Sequence, residues 1–220
     1  MSNGGSASGA ARFAVAVAVM QAVESETLIL YHTDLRGEWP EAAARSFAAR
    51  LPYARRLAAS GGRDGQRASL AGVALALRAL ARHLGRAVRA GEIVFARGQK
   101  PHLAHSGAAA DFSISHSGPW VACAALARGR VGLDVELGID ARRTQWVLRE
   151  ALLKATGAGL RALAETRALE PGAARVYWRG SCWHVARLEM FAGAAACVVS
   201  SRPLRAIEAH GTALAELFAA

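Results

Sequence analysis

The chain is short of lysine, of cysteine and of long apolar runs, and each shortage argues against a class of protein. Three cysteines, Cys123, Cys182 and Cys197, form no Cys-x-x-Cys pair, and their number is odd. That argues against a disulfide framework and against a cysteine-rich zinc site, and it fits a reducing cytoplasm. No apolar run reaches the roughly 18 residues that a bilayer span requires, so no membrane association is expected. Residues 13–23 have the length of a signal-peptide core. Their Ala-Val alternation reads better as a strand, and Gln21 and Glu24 interrupt it.

The lysine shortage is the most selective. Of 27 basic residues, 25 are arginine, and the two lysines are Lys100 and Lys154. Arginine is permanently charged, whereas lysine is a compact, rotatable donor with a tunable pKa. Where arginine is the default cation, the positions that keep lysine are the first to read for chemistry.

What is present describes a folded protein. The chain has 220 residues, 53% hydrophobic and 20% charged, enough for one domain or two small halves around a shared core. The net charge is +10, and residues 1–110 hold 14 basic against 7 acidic side chains. This excess suits an anionic partner: phosphates, nucleic acid or an acidic protein. It equally suits plain solubility.

Residues 1–10, rich in Gly, Ser and Ala, read as a disordered tail. Strands are predicted over 12–20 and 26–31, and a helix over 40–59 cut by Pro52. Ser60-Gly61-Gly62 reads as a break. The clearest helix covers 67–90, where Leu70, Val73, Leu77, Leu80, Leu84 and Val88 recur at spacings of three and four. Arg67 would stand at its N-terminus, beside free N–H groups that favour an anion. A short strand at 92–96 and a loop at 97–110 follow. Three strands are expected over 111–117, 120–127 and 130–137, with Gly118-Pro119 and Arg128-Gly129 as turns. A second helix is predicted over 144–156, capped by Thr144 and ended by Gly157 and Gly159. Strands at 175–179, 182–188 and 194–200 and a helix at 204–218, interrupted at Gly211, complete an α+β order with largely antiparallel sheets.

The most informative run is Val131-Gly132-Leu133-Asp134-Val135-Glu136-Leu137. Strand alternation puts Gly132, Asp134 and Glu136 on one face, so two carboxylates project side by side. Such a pair is unfavourable unless solvated or bridged by a cation, and oxygen-only ligands suit Mg²⁺. The plain alternative is the wet face of an amphipathic strand. On the second helix Glu150 and Lys154 stand at i and i+4, an ordinary ion pair except that it uses a rare lysine. His116 lies near a strand end in Phe112-Ser113-Ile114-Ser115-His116-Ser117. A Ser–His nucleophile is disfavoured, because strand neighbours face opposite ways and no Gly-x-Ser-x-Gly elbow exists. His102-x-x-His105 lacks further zinc ligands. Lys100, in Gly98-Gln99-Lys100-Pro101, could aim a cation at a phosphate.

Together these segments resemble the 4′-phosphopantetheinyl transferase superfamily, in particular its surfactin-synthetase-activating branch. The family motifs read roughly Gly-Lys-Pro, Phe-Asn-x-Ser-His-Ser, Val-Gly-x-Asp-x-Glu and Trp-x-x-Lys-Glu-Ala-x-x-Lys-x-x-Gly-x-Gly. Their counterparts begin at Lys100, Phe112, Val131 and Trp146 and cover about 60 central residues in the same order. The resemblance implies two pseudo-symmetric α/β halves, here 11–118 and 119–220, the latter carrying the metal site, with coenzyme A bound between them. It implies Mg²⁺- or Mn²⁺-dependent transfer of phosphopantetheine from coenzyme A to a serine of an acyl or peptidyl carrier protein. Asp134, Glu136 and Glu150 would hold the metal, Glu150 would be the general base, and Lys154 would stabilise the pyrophosphate. Lys100, Ser115, His116 and Arg67 would bind the nucleotide phosphates, with Arg63 the rival of Arg67. A monomer is implied, and nucleic acid is not the expected partner: the arginines are scattered, with no zinc-finger or aromatic RNA-binding signature.

The chain departs from the family pattern at Gln99 (usually Gly), Ser113 (often Asn) and Arg149 (usually Lys). Only 13 residues separate Glu136 from Glu150, where relatives usually carry a longer segment that shapes the carrier-docking side. The alternative function is therefore a non-catalytic member that binds coenzyme A or a carrier.

Overall fold

Two apolar faces on one strand decide the layering. In the run Trp120–Leu126 every residue is buried. Val121, Cys123 and Ala125 join one core cluster, and Trp120, Ala122, Ala124 and Leu126 join another. A strand buried on both faces must lie inside a layered structure rather than on its surface. The computed structural model describes residues 24–53, 62–96, 99–104 and 110–219. The expected tail at 1–10 and strand at 12–20 lie outside them, as do residues 60 and 61 of the expected break and most of the loop after residue 104.

Ten strands and four α-helices are described: β1 (Glu26–Asp34), α1 (Glu41–Ala49), α2 (Gly62–Leu84), β2 (Ile93–Val94), β3 (His102–Leu103), β4 (Asp111–Ser117), β5 (Trp120–Leu126), β6 (Val131–Leu137), α3 (Ala141–Thr156), β7 (Arg175–Trp178), β8 (Ser181–Arg187), β9 (Ala194–Ser200), β10 (Leu204–Gly211) and α4 (Leu214–Leu217). About a third of the structure is helix and a third strand, and the sheets are mainly antiparallel, as expected for α+β. The first sheet runs β10-β1-β5-β4 and the second β6-β9-β8-β7. Leu28, Leu30, Leu126, Leu133, Val135 and Val198 fill the space between the sheets. α2 covers the outer face of the first sheet, where Ala71, Leu75 and Leu80 are fully buried. α3 covers the outer face of the second, through Leu148, Ala151, Leu152 and Ala155.

Several elements differ from the sequence reading. Residues 204–211 are a strand, not a helix. They pair in parallel with β1, whose open edge offers a ladder of backbone partners that helical propensity cannot anticipate. α3 starts three residues before Thr144: Asp140 is the N-cap, its Oδ1 accepting the Arg143 N–H at 2.8 Å, while the Thr144 hydroxyl donates to the Asp140 carbonyl. α2 starts at Gly62 and ends at Leu84, where Gly85 takes the left-handed conformation (φ +62°). Arg67 therefore lies inside the helix rather than at its N-terminus. Gly118-Pro119 forms the turn of the β4–β5 hairpin within the first sheet. Among the described residues, no helix is long and apolar enough to cross a membrane.

Candidate active site at the junction of the two sheets

β4 and β6 are edge strands of different sheets, and no backbone ladder joins them. Side chains replace the ladder. Asp111, Ser113, Ser115 and Ser117 alternate along β4, so all four project the same way. They accept the backbone N–H groups of Val131, Leu133, Val135 and Leu137 in turn, at 2.7, 3.0, 3.2 and 3.1 Å. An edge whose donors would otherwise be buried and unpaired is satisfied by one strand's side chains.

The opposite edge of this device is the carboxylate face of β6. Gly132 lets α3 approach β6 backbone to backbone, since a side chain there would enter the Ala151 and Ala155 peptide groups. That close approach brings Lys154 and Glu150, one turn apart on α3, over Asp134. Lys154 Nζ donates to Asp134 Oδ1 at 2.5 Å and to the Ser115 hydroxyl at 3.0 Å, and stands 3.9 Å from a Glu150 oxygen. Asp134 is 2% exposed, and its Oδ2 is buried with no hydrogen-bond partner among the described residues. Burial raises the Asp134 pKa above the ordinary carboxylate value, against the opposing pull of Lys154. Glu150 is likewise raised, first by desolvation, then by the Asp134 charge, with Lys154 opposing and Glu136 adding to it. Glu136 receives the Ser117 hydroxyl at 3.0 Å.

The structure thus brings Asp134, Glu136, Glu150, Lys154 and Ser115 together. His116, on the other face of β4, is exposed, yet loss of water around the ring and then the Lys154 charge lower its pKa, so it lies within electrostatic reach. A cavity of about 360 Å³ opens beside Glu150 and Lys154, walled by Lys100, Pro101, Phe112 and Leu160.

Lys100 borders this cavity, but its ammonium is committed elsewhere. It is 14% exposed, pairs with Asp111 and donates to the Val131 carbonyl at 2.6 Å, so it fastens the same sheet junction. Desolvation lowers its pKa, with Asp111 opposing. Arg67 is not brought to the carboxylates by any contact. Its guanidinium lies over the Trp39 ring and pairs with Glu41 at 3.0 Å, and Arg63 pairs with the same Glu41 at 2.8 Å. Arg149 donates to the Thr166 hydroxyl and the Leu163 carbonyl, tying the following turn to α3. The short link from Glu136 to Glu150 is a direct strand-to-helix turn, in which Gly138 bonds to Gly193 and Ala195 and Asp140 starts the helix.

Sequence reasoning missed Asp111 and the flanking serines 113 and 117 as parts of the site. Their signal was an all-polar face at every second residue of one strand, beside an apolar face of Phe112 and Ile114.

A divalent cation fits this donor set. The orphaned Asp134 Oδ2 and the raised proton affinities of Asp134 and Glu150 are what an added positive charge would relieve. Among the described residues, no three His, Cys, Asp or Glu side chains already form a metal cage. Mg²⁺ rarely needs one, because it takes one or two carboxylates and fills its shell with water and phosphate oxygens. Compared with known proteins, the chain matches no family model and shows no significant match to a curated protein.

Proposed function

We propose that the chain transfers the 4′-phosphopantetheine group of coenzyme A to a serine of an acyl or peptidyl carrier protein. The observation that carries the reading is the convergence of Lys154 on Glu150 and on the buried Asp134, with Glu150 and Lys154 lining one cavity. The order and spacing of the motifs around these residues supports it. Asp134, Glu136 and Glu150 would hold Mg²⁺, which when bound neutralises pyrophosphate charge and polarises the phosphorus under attack.

The chain's own residues account for the remaining chemistry. Glu150, with its raised proton affinity, takes the proton of the carrier serine hydroxyl. The serine oxygen forms a bond to the phosphorus that bears pantetheine. The bond from that phosphorus to the bridging pyrophosphate oxygen breaks, and adenosine 3′,5′-bisphosphate leaves with the electron pair. Lys154 would meet the negative charge that grows on the leaving phosphate, and His116, whose lowered pKa favours the neutral ring, would offer a hydrogen bond rather than a charge. The net positive charge of the chain suits an acidic carrier and would act mainly on the association rate.

A second reading is a non-catalytic binder of coenzyme A or of a carrier. It is favoured by the closed Asp134–Lys154 pair, which occupies one carboxylate oxygen. Intact-mass spectrometry separates the two. An apo carrier incubated with this protein, coenzyme A and Mg²⁺ gains one phosphopantetheinyl group, and a chelator prevents the gain. Retained coenzyme A binding with no gain across acyl and peptidyl carriers would favour the second reading.

A further inference from the structure

Ser115 and Ser117 make the same two bonds, one strand repeat apart. The Ser115 hydroxyl accepts the Val135 N–H at 3.2 Å and donates to Asp134 Oδ1 at 2.9 Å. The Ser117 hydroxyl accepts the Leu137 N–H at 3.1 Å and donates to Glu136 Oε2 at 3.0 Å. Among the described residues Ser113 makes only the first bond, to the Leu133 N–H at 3.0 Å, opposite Gly132, which has no side chain to hold. Each serine is thus anchored to the backbone next to the residue it addresses, and the two that meet a carboxylate fix one of its oxygens.

A hydroxyl has one donor and two acceptor positions. Ser115 uses all three, because Lys154 Nζ also donates to it at 3.0 Å, and the residue is 4% exposed. Nothing remains for a phosphate oxygen. We propose that Ser115 and Ser117 are positioning residues that lock the side-chain orientations of Asp134 and Glu136 for cation binding, and that Ser115 does not touch the nucleotide. This rests on the transferase reading of those carboxylates, and it replaces the phosphate contact that family resemblance gives Ser115. The gain is pre-organisation: ligands held by outer partners need not be ordered when the ion arrives.

Ser113 supplies an internal control, since it caps the same edge without facing a carboxylate. The test measures Mn²⁺ binding to the full chain by electron paramagnetic resonance. Coenzyme A binding without metal is measured by calorimetry, and Tm by thermal unfolding. Ser115→Ala and Ser117→Ala weaken Mn²⁺ binding roughly 10-fold, and Ser117→Thr, which keeps the hydroxyl, does not. Ser113→Ala lowers Tm but leaves Mn²⁺ affinity unchanged. Metal-free coenzyme A affinity stays constant in all four. Should Ser115→Ala fail to fold, Ser117→Ala against Ser113→Ala decides the question. Equal loss of Mn²⁺ affinity in Ser113→Ala would overturn the proposal. So would loss of metal-free coenzyme A affinity in Ser115→Ala with Mn²⁺ affinity intact. A wild-type chain that binds coenzyme A but no Mn²⁺ overturns this proposal alone, and one that binds neither overturns the transferase reading beneath it.

Discussion

Gly132 and Ala151 touch so closely that a β-carbon on Gly132 would fall 1.9 Å from the Ala151 carbonyl oxygen. Neither partner can retreat, because Ala151 is inside α3 and Gly132 is inside β6, paired with Val199. Gly132→Ala is therefore expected to push the helix off the strand, at a cost of about 2 kcal/mol in stability. Lys154 and Glu150 would move with the helix, so transfer should fall more than the folded fraction does. Urea denaturation and activity on the same sample measure both, and a variant as stable as wild type would show that the helix can slide.

Removing the Glu150 carboxylate is expected to leave the fold intact, since its one ion pair among the described residues, to Lys154, is 3.9 Å long. If the proposed transfer holds, Glu150→Gln should abolish it, because no base would remain for the carrier serine. The burial that raises the Glu150 pKa also gives a sign to stability. The folded state holds the proton more tightly than the unfolded chain. This contribution is complete below the ordinary carboxylate pKa and is lost as pH rises through the raised value. Glu150→Gln should therefore gain on wild type as pH climbs through that window, and paired denaturation curves at pH 4 and pH 7 would reveal the crossover.

Lys154→Arg keeps the charge and loses the geometry. The ammonium reaches a hydroxyl and a carboxylate from one point, at 3.0 and 2.5 Å, and a planar guanidinium cannot occupy that point. Transfer should drop at least 10-fold, and Tm should fall too, because the buried Asp134 carboxylate loses its close partner. Wild-type turnover would mean that the scarcity of lysine carried no meaning here.

Lys100→Met separates two roles for the other lysine. If Lys100 fastens the sheets, the substitution strands the Asp111 carboxylate and costs about 3 kcal/mol, with coenzyme A affinity unchanged in the folded fraction. If the ammonium serves the nucleotide instead, affinity falls and stability holds. Thermal unfolding beside calorimetric titration distinguishes these results.

Much of the site could be read from the chain because its chemistry is local. Alternation put Asp134 and Glu136 on one face of β6, and helical spacing put Glu150 and Lys154 on one row of α3. What joins them is not local. The Asp111-to-Ser117 ladder depends on two edge strands of different sheets meeting, and no spacing within β4 announces its partner. Arg67 shows the converse: its helix was plain, but the first turn at Gly62 and the Trp39–Glu41 pairing depend on packing beyond the helix. Residues 204–211 carry Ala, Glu, Leu and Arg that suit a helix, and the unfilled edge of β1 made them a strand.

That last pairing sets an order on synthesis. Tyr31 lies beside His210, so the first sheet closes across almost the whole described chain. While the ribosome still holds residues 204–211, β1 keeps one flank bare. The hairpin β4–β5, joined by two residues, needs no such wait. Contacts this distant in sequence slow the search for the native state and prolong the life of a sticky strand edge. The nascent protein thus keeps this edge open until residues 204–211 have emerged, by which point nearly all of the described core residues are already present.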